Sequence, residues 1–146
     1  MIKNDFLIRM IEEMGALLRK ALAHEQAREY TAAHQEIDAA MKTLGLPRVL
    51  ARTMSASDLM RIMQHSATAS NDRCFLMARL IAADAHVYRS EGSPDIAHSL
   101  YTTALFILTA LQKDAEDEKS ALIQKEIESV RFSITEEIEE REHLGA

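Results

Sequence analysis

Residues 86–108 read HVYRSEGSPDIAHSLYTTALFIL, which sets Gly92 and Pro94 two positions apart in a chain of 146 residues that has only 4 Gly and 2 Pro. A break of this kind inside helix-forming sequence ends one helix and starts the next. Gly92 supplies the left-handed backbone at a helix end, and Ser93, Pro94 and Asp95 form a start signal. The Ser93 hydroxyl can accept from free backbone N–H groups, the missing N–H of Pro94 is harmless in a first turn, and the Asp95 carboxylate suits the positive helix end. The break therefore predicts a helical hairpin.

The remaining sequence has the same texture. Trp is absent and Ala, Leu, Ile, Met and Glu dominate, residues that lose little rotamer freedom in a helix or suit its packing, so the fold class is all-α. A chain of this length buries a real core as one domain, residues 1–146. Apolar spacing predicts a first helix capped by Asn4 or Asp5 and running to about Gln26, with Ile8, Ile11, Ala16 or Leu17, Leu18 and Leu22 inward. A second, Tyr30 to Leu44, carries Ala33, Ile37, Ala40, Met41 and Leu44, and Gly45 and Pro47 stop it. These make a hairpin over 5–45. Residues 46–70 read as two short helices, the second capped by Ser55 or Ser57. A hairpin over 71–113 follows, with Leu76, Leu80, Ile81, Ala85 and Tyr88 inward in its first helix. An acidic amphipathic helix over 115–142 closes the chain, with Leu122, Ile123, Ile127, Val130, Ile134 and Ile138 on one face, and this face needs a partner.

From Ile81 the chain shows Ile81, Ala85, Tyr88, Gly92, Ala97, Tyr101 and Ala104, an order of large, small, aromatic, Gly, Ala, aromatic, Ala that resembles the tetratricopeptide pattern. Ala85 stands where that pattern prefers Gly, and Thr109 where it often has Pro. In this reading Gly92 permits the turn, Ala97 and Ala104 permit close approach of the second helix, and Tyr88 and Tyr101 fill the gaps between layers. Shifted back by 64 residues the pattern meets Leu17, Ala21, His24, Arg28, Ala33, Ile37 and Ala40, keeping the small residues and pairing His34 with His98, but without the turn glycine. A spacing of 64 instead of about 34 predicts that the two copies do not stack directly and that residues 46–70 lie between them. The opening MIKNDFLIRMIEEMGALLRKAL and the hairpin that follows resemble a small bacterial domain-of-unknown-function family whose members are often labelled tetratricopeptide-repeat proteins. The resemblance implies a right-handed array of antiparallel hairpins and carries over no functional residues.

Charge narrows the partners. Residues 1–113 hold 13 Lys and Arg against 12 Asp and Glu, and residues 114–146 hold 4 against 11, so the net −6 belongs to the last helix. No basic stripe offers phosphate neutralisation, so nucleic acid is not expected. The longest apolar run, ALFILTAL over 104–111, is far short of the roughly 20 residues of a membrane span, and Asp5, Arg9, Glu12 and Glu13 interrupt any signal-peptide core. A single Cys, Cys74, excludes an internal disulfide and fits the cytoplasm. It reads as a core residue.

Chemistry is sparse. Glu140 with His143, Asp95 with His98, and His34 with Asp38 stand within helical reach, but read as surface or capping pairs, so no metal, cofactor or catalytic residue is expected. Met54, Met60 and Met63 suit either core filling or an adaptable surface. If the second hairpin is a tetratricopeptide unit, Arg79, Ala82, His86 and Arg89 face its concave side and form a basic, candidate partner-binding face. An acidic peptide, the chain's own acidic tail or that of a second copy would suit it. The expectation is a non-enzymatic scaffold for protein–protein interaction, homodimeric because two hairpins fall short of the three repeats that usually stabilise a solenoid. The alternative is a small-ligand protein or enzyme with an apolar pocket between the hairpins.

Overall fold

The computed structural model describes residues 2–65 and 70–145, with side chains over 8–65 and 71–143; positions 66–69 of the linking segment lie outside it. The described residues are all-helical and form α1 (Ile2–Gln26), α2 (Tyr30–Thr43), α3 (Arg48–Thr53), α4 (Ala56–Gln64), α5 (Ser70–Ser90), α6 (Pro94–Gln112) and α7 (Asp117–Gly145). No helix among them is long and apolar enough to cross a membrane. Asn4 and Asp5 lie inside α1 instead of capping it, and α7 continues past Glu142 to Gly145.

The chain folds back at Gly92, whose φ is +91°. The Gly92 N–H donates to the Arg89 carbonyl at 3.2 Å and the Ser93 N–H to the Tyr88 carbonyl at 2.8 Å, the paired bonds that close a helix around a left-handed residue. Ser93 thereby takes ψ 68° and its hydroxyl makes no capping bond. The capping role expected of it fails because its backbone is committed to ending α5. Ser55, at ψ 153°, does cap, accepting from the Asp58 N–H at 3.1 Å. Behind the turn Ala97 and Ala104 are fully buried and Tyr101 nearly so.

The α1–α2 turn repeats this construction without a glycine. Arg28 adopts φ +61°, its N–H donates to Glu25, and the Glu29 N–H donates to His24 at 2.7 Å. Each bond is the Gly92 turn's bond moved back 64 residues. Glu29 even shares the Ser93 backbone, at ψ 67°.

The packing departs from expectation at the linking segment. The hairpins are not held apart: α5 lies directly against both α1 and α2, while α3 bridges α2 and α6, and α4 rests on α5 and α6. The linking segment thus occupies the space beside the second helices and leaves the first helices in contact. Asp38 fixes its start, accepting the Arg48 N–H at 2.8 Å; burial works against the ionised carboxyl, but that bond and Lys42 outweigh it and lower its pKa.

Central position explains why α5 is buried on most of its circumference, from Cys74 through Ala78 and again at Leu80, Ile81, Asp84, Ala85, Val87 and Tyr88, the pattern of a helix surrounded by others. Met60 and Met63 are core and Met54 is half-buried. In α7, Ile123, Ile127 and Val130 are buried and Ile134 partly so, whereas Leu122 and Ile138 are exposed. In α1 Met14 and Ala21 are buried and Ile11, Leu17 and Leu18 pack partly buried against the core, whereas Ile8 and Leu22, expected inside, face out. Burial pushes the Cys74 thiol up to about 11, which leaves it protonated and inert at neutral pH.

Candidate functional site

Three residues of the expected partner face line one groove. Arg79, Ala82 and His86 on α5, with Ala83, form a floor above Tyr101; Leu18 of α1 stands on one side and Glu126, Ser129 and Ser133 of α7 on the other, around a volume of about 240 Å³. Arg89 lies one turn further along, in an adjoining hollow of about 320 Å³ with Ser90, Glu136, Glu140 and the shared His86. The groove exists because α7 rests mainly on α6 and only lightly on α5, while α1 approaches α5 from the opposite flank.

Its electrostatics differ from a basic face. Arg79 Nε lies 3.2 Å from Glu126. Arg89 bonds Glu140 through Nε at 3.2 Å and again through Nη2, with Glu136 at 3.4 Å, and the Arg89 bond holds the Glu140 carboxyl below its usual range. His86 Nε2 lies 3.3 Å from Glu25, which also accepts from Ser90. Two arginines therefore meet three glutamates, and a fourth, Glu25, faces His86. The acidic tail noted in the sequence serves the arginines within the chain, and the groove carries a surplus of negative charge.

A second constellation lies on the other side of α5, and spacing did not reveal it. His34 of α2 sits between two carboxylates, with Nδ1 2.6 Å from Asp84 and Nε2 2.7 Å from Glu91. Asp84 is fully buried and its other oxygen accepts from Arg48 Nε at 2.8 Å. Arg48 also donates to the Tyr88 hydroxyl, which Arg52 approaches at 3.2 Å, and both guanidiniums lie 5.2 Å from the Tyr88 ring centre. The His34 and Tyr88 rings stand 4.3 Å apart. A neutral imidazole has one donor and one acceptor, so two ionised carboxylates on its two nitrogens require the imidazolium. Burial alone would lower the His34 pKa and Arg48 opposes its charge, but the bonds to Asp84 and Glu91 prevail and raise it. The cluster ties α2, α3 and α5 together.

The pairings read from helical spacing resolve differently. His34 takes Asp84, while Asp38 takes Arg48 and Lys42. Asp95 pairs with Arg141 at 2.9 Å, and His98 lies 3.6 Å from Glu137. Among the described residues no three His, Cys, Asp or Glu side chains could hold a metal ion. The one sequence signal for the cluster is Asp84 itself, an acid on the buried stripe between Ile81 and Tyr88, where a charge needs a partner from another helix.

No family model matches the chain, and no curated protein or solved structure matches it.

Proposed function

We propose that the chain is a non-enzymatic, tetratricopeptide-like helical scaffold, cytoplasmic and akin to the small bacterial family its opening resembles, that binds a segment of a protein partner in the groove along α5. The observation that carries this reading is the groove itself: an alanine floor at Ala82 and Ala83, a side of Leu18, and rims of charged residues. Small floor residues admit a backbone closely, and the flanking charges select among side chains. Support for the repeat comes from the two turns, whose backbone hydrogen bonds recur at an offset of 64 residues.

With Arg79 and Arg89 engaged by α7, the external partner best suited to the surplus of glutamates is a peptide with cationic side chains. Two peptides of one apolar sequence, one bearing lysines and the other glutamates, test this by calorimetric titration. The lysine peptide is expected to bind, and Glu136→Gln with Glu140→Gln to weaken it about tenfold, the equivalent of roughly 1.4 kcal/mol. Equal binding of both peptides, or of neither, would overturn the proposal.

A further inference from the structure

The helix α1 carries two adjoining apolar stripes, of which the fold buries one and covers the other only in part. Met14 and Ala21 are buried against the hairpin partner and α5. A second stripe, Ile8, Ile11, Gly15, Leu18 and Leu22, advances in alternating steps of three and four, the spacing of a two-helix seam. Ile8 is 52% and Leu22 44% exposed, while Ile11 and Leu18 are partly buried at the edge of the core. The stripe is about 21 Å long at 1.5 Å per residue.

Gly15 lies at its midpoint. A glycine within a helix costs roughly 0.5–1 kcal/mol relative to alanine, and here the fold does not require it. A Cβ at Gly15 would meet only the far end of the flexible Arg19 side chain, at 3.5 Å. The backbone is ordinary α-helix. A missing side chain at the centre of an exposed apolar stripe is what a second helix crossing closely at that point would use.

We infer that α1 is a homodimer face, on which the α1 of a second copy lies antiparallel with Gly15 on the two-fold axis. In that arrangement Ile8 of each copy meets Leu22 of the other and the two glycines allow close approach. Residues 12 and 19 flank the seam on its solvent side, so Glu12 of each copy comes within reach of Arg19 of the other. The stripe is complementary to itself in both shape and charge, as a two-fold interface demands. Leu18 belongs both to this stripe and to the wall of the peptide groove, but the inference rests on the stripe and Gly15 and not on peptide binding. A single helix pair covers less than a standard interface of about 1,200–2,000 Å², which places the dimer at the weak end.

Sedimentation of the full chain over a concentration series tests it. The wild-type protein is expected to pass from monomer to dimer. Gly15→Gln should weaken association at least about tenfold while raising the thermal midpoint of the dilute monomer, since glutamine is the better helix former. Glu12→Arg and Arg19→Glu should each weaken it, and the two together should restore it. A wild-type monomer at every concentration overturns the inference. So does a dimer indifferent to Gly15→Gln, which would place the contact elsewhere on the surface.

Discussion

The second helix of each hairpin offers a histidine to a buried acid on the first helix that packs after it, and the two junctions are built to different standards. At the first, His34 meets Asp84 at 2.6 Å, and Arg48 takes the other oxygen. At the second, His98 lies 3.6 Å from Glu137, Arg141 lies 3.1 Å from it, and neither Glu137 oxygen has a hydrogen bond although the residue is only 1% exposed. The difference traces to the linking segment. Only the first junction has an α3 beside it, held by Asp38 and delivering Arg48 and Arg52 from outside the hairpin. The insertion that spoils the regular repeat thus completes an ion cluster that the hairpins alone would leave unfinished.

The sharpest way to break the comparison is to remove the two acids in turn. Asp84→Ala leaves Arg48 and a protonated His34 facing each other in the core and is expected to cost about 3–5 kcal/mol, read from urea midpoints. Glu137→Gln should cost less than about 1 kcal/mol, because the carboxylate it replaces makes no hydrogen bond to lose. Equal losses at the two sites would show that the junctions do not differ as their geometry indicates.

A smaller effect, and one of distinct form, is expected from pH. Folding raises the His34 pKa, through Asp84 and Glu91 against the opposing burial, so the folded state holds its proton more tightly than the unfolded chain. The resulting stability is complete below about pH 6.5, the unfolded value, and is lost as pH rises through the folded one. Urea midpoints from pH 6 upward should fall for the wild type and fall less for His34→Gln. Parallel lines for the two proteins would mean that His34 is neutral when folded.

Legibility followed the range of the interactions. The Gly92 hairpin, the burial of Ala97 and Ala104, and most helix limits depend on neighbours along the chain, and these the sequence states directly. The direct contact of α5 with α1 and α2 was hidden because a repeat spacing gives a distance along the chain and not the side on which an insertion leaves it. The charge of the groove was hidden for a related reason: Arg79 and Arg89 look like a basic face on their own helix, and the glutamates that neutralise them come from α7, about 50 residues away. His34 was visible as half of a pair, but with Asp38, four residues on, because helical spacing favours near acids over Asp84.

The two turns give the smallest expected effect and the finest comparison. Arg28 and Gly92 occupy one left-handed position in identical hydrogen-bond patterns, but an arginine there strains against its own carbonyl by roughly 1–2 kcal/mol. Arg28→Gly relieves that strain and gives back about 0.5–1 kcal/mol through the added freedom of the unfolded chain, for a net gain near 0.5 kcal/mol. Gly92→Ala runs the exchange in reverse. A Cβ at Gly92 meets nothing within 4 Å, so backbone strain, offset in part by the lower freedom of the unfolded chain, is its whole cost, and a loss of about 0.5 kcal/mol is expected. Opposite shifts in the thermal midpoint would establish that one turn serves both hairpins. A destabilising Arg28→Gly would instead mean that the arginine side chain contributes more than the backbone it strains, and the equivalence would then hold for the hydrogen bonds but not for the energetics.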